Sequence, residues 1–169
     1  LKELEYEGYH FEAADASLEL LIRSATGWMQ DYFEVDSFSV NVGHNKGNSA
    51  RAWNDVAVEV NTHAVVAVIV GDEKITAEGD GNGPVNALDS ALRKGLRNEL
   101  PHIDSFNLTD YKVRVLESER GTGAVTRVLL DTTDGEKTWT TIGVSTNIIE
   151  ASWQALVDSL VYGLLHTES

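Results

Sequence analysis

The 169-residue chain has no cysteine, two prolines and one methionine, and sets only 13 Lys and Arg against 27 Asp and Glu. The missing cysteines remove disulfides, thiolate catalysis and Cys-based zinc sites together. That fits a reducing cytoplasm. The shortage of basic residues leaves a formal net charge of −14. Such a balance argues against nucleic acid or an anionic membrane as partner, because phosphate binding needs a basic stripe. The densest basic cluster is only "RKGLR", Arg93 to Arg97. Long apolar runs are missing too: "AVVAVIV", Ala64 to Val70, is far too short to span a bilayer. The opening "LKELEYEGYH" lacks the apolar middle of a signal peptide and has no initiating Met. Those residues look like the interior of a longer protein, so the chain is expected to be a piece of one.

What is present suffices for one sizeable core, with 42% hydrophobic and 24% charged residues. Residues 13–32 predict a helix, with Leu18, Leu21, Ile22, Ala25 and Met29 at helical spacing. From Phe33 to Val42 the period changes to two. Val35, Ser37, Ser39 and Asn41 fall on one face, and Asp36, Phe38, Val40 and Val42 on a half-buried one. Gly43 to Asp55 is loop by composition, followed by strands at about 56–70, of ambiguous register, and 73–79. A helix opens at Pro84, with Val85, Leu88, Ala91, Leu92 and Leu96 as its apolar stripe. The order then repeats. Strands are expected at 108–118, 122–133 and 137–145, the last two joined by an Asp-Gly hairpin in "TDGEK". A helix over 146–166 follows, with Ile149, Trp153, Leu156, Val157, Leu160 and Leu164 on one face.

Placing Gly79 on Gly143, 64 positions later, also brings Ala87, Ala91, Leu92 and Leu96 onto Ala151, Ala155, Leu156 and Leu160. Upstream, "FSVNV" from Phe38 matches "YKVRV" from Tyr111 at an offset of 73, so the first copy carries nine extra residues. The expected fold is α+β: two pseudo-symmetric βββα units, antiparallel sheets packed with helices, after a short helical lead-in. Residues 1–32 are the lead-in, 33–100 the first repeat and 106–166 the second.

Chemistry is sparse. The histidines at 10, 44, 63, 102 and 166 stand far apart, which gives no metal-ligand spacing. No G-x-S-x-G occurs. The acidic turns "GDEK", "DGEK" and "ESER" suit solvated loops better than acid–base sites. A small enzyme working through carboxylates is therefore the weakest option. The segment "GDGNGP", Gly79 to Pro84, is neither a Walker loop nor a dinucleotide fingerprint, because Pro84 stands where a close-packing glycine belongs. A tight turn with positive φ at Gly81 or Gly83 is expected. The helix N-terminus after it would suit a ligand carboxylate, and "STNIIEAS" offers the same device, with Thr146 or Asn147 as cap.

"AEGDGNGPVNALDSALRKGL", "LTDYKVRVLE", "GTGAVTRVLLD" and "WTTIGVSTNIIEASWQALVDSLVYGLL" resemble the C-terminal regulatory domain of the 2-isopropylmalate synthase and citramalate synthase family. The forms "GNGPVNALDSAL" and "NIIEASWQALVDS" look most like the citramalate synthase branch. The likeness covers nearly the whole chain, and the lead-in is similar to the linker that follows the catalytic barrel. Two departures stand out: the long stretch Gly43 to His63, and two residues more in "GDGNGP" than in the commoner "EGNGP".

The resemblance implies paired βββα units that dimerise, and feedback inhibition by isoleucine (citramalate synthases) or leucine (isopropylmalate synthases). It also implies a barrel in the same polypeptide. There a divalent metal on acidic and His-x-His ligands serves the condensation of an acyl-CoA with a 2-oxoacid. None of those ligands is in this sequence, so no residue here is expected to be catalytic or to hold a metal or cofactor. A branched aliphatic effector would need its carboxylate met by Gly83, Pro84 and Val85 or by Asn147, Ile148 and Ile149, and an apolar pocket from Leu108, Tyr111, Val115 and Val125. Plain core packing is the competing role for the four strand residues. Tyr111 leans towards the pocket because a buried phenol needs a hydrogen-bond partner. A structural dimerisation module that senses nothing would share the same fold.

Overall fold

The computed structural model describes residues 13–44, 60–116 and 124–167. In chain order the elements are helix α1 (Asp15–Ala25), strands β1 (Glu34–His44), β2 (Val60–Val70) and β3 (Glu73–Gly81), and helix α2 (Pro84–Leu96). A 3-10 turn (Pro101–Ser105), strands β4 (Asn107–Leu116), β5 (Val125–Thr133) and β6 (Thr138–Ser145), and helix α3 (Ile148–Thr167) complete them. The strands form two antiparallel three-stranded sheets, β1-β2-β3 and β4-β5-β6. The α+β, twice-βββα architecture expected from the sequence is what the chain adopts. None of the described helices is long and apolar enough to cross a membrane.

Two compact units result. One runs from Phe33 to Glu99; the other joins the described residues up to Tyr32 to those from Leu100 onward. In the first, Val35, Phe38, Val40 and Val42 pair with Val68, Val66, Ala64 and Thr62, all four buried. A bulge between Val35 and Ser37 shifts the parity. Val35 thereby joins Phe38 on the inner face, not Ser37 and Ser39 as strict alternation predicts. The register of β2, ambiguous in sequence, is fixed here; Gly43 and His44, expected in the polar loop, instead end β1 as strand, paired with Asn61 and Val60, while the rest of that loop and the other expected strand residues before Val60 lie outside the described residues. Helix α2 buries Ala87, Leu88, Ala91, Leu92 and Leu96 completely; Val85 is half-buried. Arg93, from the basic cluster, bonds Asp89 one turn back at 2.8 Å.

The second unit repeats this at the expected offsets. Phe38↔Val66 becomes Tyr111↔Leu130, Ala64↔Gly79 becomes Val128↔Gly143, and a second bulge falls between Leu108 and Asp110. The hairpin after β5 turns at Gly135 (φ +97), with Asp134 Oδ1 accepting the N–H groups of Glu136 and Lys137. Under α3 lie Val128, Leu130, Leu156, Leu160 and Leu164, closed by Phe106 edge-on to Trp139 at 5.5 Å. Trp139 donates its indole N–H to the Ser159 carbonyl.

Helix α1 is shorter than the 13–32 span expected. Gly27 takes φ +94, the Thr26 hydroxyl donates to the Arg23 carbonyl, and Met29 lies beyond the helix, 83% exposed. What remains of α1 protects a sheet edge. The outward N–H groups of β6 go to side chains: Thr140 to Asp15, Ile142 to Ser17 and Val144 to Gln154 of α3. An edge so occupied cannot template another strand.

Candidate functional site

The glycine segment is strand and helix start, not a turn. Gly79 and Gly81 lie within β3, and Gly83 precedes α2 in an extended conformation, φ −165. The positive φ expected at Gly81 or Gly83 is absent; among the described glycines only Gly27, Gly71 and Gly135 have it. The physical demand is close approach. A Cβ on Gly81 would lie 2.6 Å from the Ala87 nitrogen, and one on Gly79 would overlap the Ala91 nitrogen and Ala87 carbonyl. Gly143 meets Ala151 and Ala155 in the same way. These glycines let each helix lie directly on its sheet.

The two helix N-termini differ. Gly83 gives α2 no side-chain cap, and Pro84 at the first helical position has no N–H to offer. Asn147 caps α3, its Oδ1 accepting the N–H groups of Ile149 (2.8 Å) and Glu150 (3.3 Å). Ser145 Oγ, within 3.3 Å of Glu150 Oε2, accepts the N–H of Asn147. Two of the N–H groups at that helix start are therefore already engaged.

Among the strand candidates, Leu108 and Val125 are half-buried, Tyr111 is 41% exposed and Val115 61%. Tyr111 is thus not the buried phenol expected, although its hydroxyl does have a partner, Ser152 Oγ at 3.0 Å. Ser152 donates to the Ile148 carbonyl, so a hydrogen-bond chain joins β4 to the start of α3. It connects Tyr111 with Ile148. Val115 and Val125 lie one pair apart on β4 and β5, opposite Thr126 and Leu116, whereas Leu108 is near the other end of β4, opposite Thr132.

These residues match a known family over most of their length: residues 12–164 match the family described as LeuA allosteric (dimerisation) domain. The chain belongs to that family. Its relatives include the (R)-citramalate synthases of Aquifex aeolicus (46% identical, over 99% of this chain and 30% of the relative) and of Synechocystis sp. (48%, over 97% and 29%). A 2-isopropylmalate synthase of Shewanella sediminis is 30% identical over 60% of this chain and 18% of its own. The chain thus spans about three tenths of the length of the citramalate synthases it matches. In this chain the twofold βββα order is the frame, and both glycine-on-helix contacts belong to it.

Neither of two cavities in the unit containing α1 and α3 is lined by any of the ten candidate residues. A small one, about 140 Å³, lies by Asp110, Lys112, Asp131 and Thr140. A groove of about 560 Å³ lies between α1 and α3, with Ser17, Leu21, Trp28, Val157 and Asp158 in its wall. Sequence reasoning passed over Asp158. The available signal was its isolation: between Glu150 and His166 it is the one charged residue of an apolar helix.

Proposed function

We propose that this chain is the amino-acid-sensing and dimer-forming domain of an (R)-citramalate synthase, carried in one polypeptide with its catalytic barrel. In this view the barrel condenses acetyl-CoA with pyruvate on a divalent metal of its own, the enzyme works in the cytoplasm, and isoleucine inhibits it as pathway end-product. The observation that carries the proposal is the alignment of 97–99% of the chain with enzymes of that name, at 46–48% identity. Over the same residues lies a domain described as allosteric. The uncapped start of α2 at Gly83, Pro84 and Val85 supports a place for the effector's carboxylate better than Asn147, Ile148 and Ile149, where Asn147 already occupies two N–H groups. The similarity to a 2-isopropylmalate synthase favours leucine as the second choice.

Calorimetry and thermal melts with isoleucine and leucine test this. A ligand that binds only the folded chain stabilises it by about 2.7 kcal/mol at a hundred times its Kd. Isoleucine should raise the melting temperature more than leucine. The reverse order would move the assignment to the leucine branch, and no heat or shift with either at millimolar concentration would leave a structural dimerisation module.

A further inference from the structure

We infer that the groove between α1 and α3 is a second ligand site, one that takes an aliphatic primary ammonium compound carrying no carboxylate. Its volume, about 560 Å³, is that of a small-molecule site. Leu20, Leu21, Trp28, Val157 and Val161 make its wall mainly apolar, and Met29 at the rim is 83% exposed. Among the described lining residues one is charged, Asp158.

Asp158 lacks a cation among the described residues. Its partner there is the Ser17 hydroxyl, which donates to Oδ2 at 2.9 Å. Ser17 is held in that role, since its oxygen also accepts the Ile142 N–H. The charged groups of the neighbouring helix are directed elsewhere. Asp15 accepts the N–H of Thr140, Arg23 bonds Glu19 at 2.8 Å, and Glu19 also meets His166 at 3.1 Å. On α3 itself the Tyr162 ring lies tilted against His166, 4.3 Å between centroids, and Glu150 accepts from Ser145. Burial therefore acts almost unopposed and pushes the Asp158 carboxyl up to about 6. A half-buried acid beside apolar walls, with one neutral donor, lacks the charge-assisted partner that would offset its desolvation. An alkylammonium supplies that partner and buries its chain against the leucines and valines.

The groove also selects against amino acids. Among the described residues no Lys, Arg or His lines it, so a carboxylate would enter beside Asp158 without a counter-charge. The site goes beyond the sensing of isoleucine and stands or falls apart from it.

The probe is 3-methylbutylammonium, titrated calorimetrically into the 169-residue chain at pH 8, with 3-methylbutanol as its neutral isostere and isoleucine as the zwitterion. Saturable binding of the amine is expected, with the alcohol weaker by about tenfold or more, as loss of a charge-assisted hydrogen bond implies. Affinity should fall as pH drops through about 6 and Asp158 takes up a proton. Asp158→Asn, which keeps the acceptor for Ser17, should abolish the preference for amine over alcohol. Ser24→Trp, a change at an exposed position on the groove, should block both probes while leaving the melt intact. Equal binding of amine and alcohol, or amine binding that survives both substitutions, would overturn the site. So would a groove that binds neither probe but whose Ser24→Trp variant changes the oligomeric state, since the face would then dock a second copy. An isoleucine-induced shift retained in Ser24→Trp would leave the sensing proposal standing whatever the amine does.

Discussion

The backbone of Gly143 on β6 lies against the Ala151 carbonyl of α3, so close that a Cβ at position 143 would overlap it. Gly79 stands in the same relation to Ala87 and Ala91 of α2. The contact occurs once in each βββα unit, and each time the residue opposite on the middle strand is fully buried, Ala64 or Val128. A methyl group at either glycine must lift a helix from its sheet, and with it the leucines that fill the core.

Gly143→Ala is accordingly expected to cost about 3 kcal/mol or more, since overpacking against backbone has no rotamer by which to relax. Gly83→Ala is the control. Gly83 has an extended φ, and a methyl added there would meet nothing within 4 Å, so the change should stay within about 0.5 kcal/mol. Chemical denaturation of the two variants decides the matter. Equal losses at both positions would mean that the glycines serve the turn and not the packing.

The repeat was legible in the sequence because it is written in spacing. Offsets of 64 and 73 between copies reappear as strand partners, down to matched bulges at Val35/Ser37 and Leu108/Asp110. The bulges themselves were not legible. One inserted residue at Asp36 moves Val35 to the inner face, and no residue type announces that. The glycine run misled for a related reason: Gly is used both for positive φ and for close approach, and composition does not separate the two. Asp158 was missed because a lone acid in an apolar helix resembles a solvated position until the helix packed against it is known.

Asp158 should make stability depend on pH. Its carboxyl is raised from 3.8 to about 6 in the folded chain by burial, with the Ser17 hydrogen bond opposing. A raised acid favours folding when protonated. Its contribution is fully present below the unfolded value near pH 4 and is lost as pH rises through about 6. The rise from 3.8 to about 6 corresponds to about 3 kcal/mol at most. Asp158→Asn is neutral throughout, so it should melt higher than the parent at pH 8, with the difference shrinking towards pH 4. At about 2–4 °C per kcal/mol for a chain of this size, several degrees are expected. A difference that does not change with pH would show that Asp158 is already solvated.

Thr132 offers a simpler test. Its hydroxyl is buried without a hydrogen-bond partner among the described residues, between Leu108 and Trp139 on the neighbouring strands. An unpaired buried hydroxyl costs about 1–3 kcal/mol, and valine fills the same volume without that cost. Thr132→Val should therefore raise the denaturation midpoint, which is unusual for a change at a fully buried position. A loss of stability would mean that the hydroxyl has a water partner.

The two helix starts can be separated by one substitution. Asn147 Oδ1 holds the N–H groups of Ile149 and Glu150, so Asn147→Ala should cost about 1 kcal/mol, the usual worth of an N-cap. If an effector carboxylate used those same N–H groups, removing the cap would free them and tighten binding. If it uses the uncapped start of α2 instead, the isoleucine-induced shift should be unchanged while the baseline melt falls by a few degrees. The second pattern is expected, because a carboxylate would have to displace a neutral amide already seated at 2.8 Å. Melts of the parent and of Asn147→Ala, with and without isoleucine, distinguish the two. A larger shift in the variant would return the carboxylate to Asn147, Ile148 and Ile149.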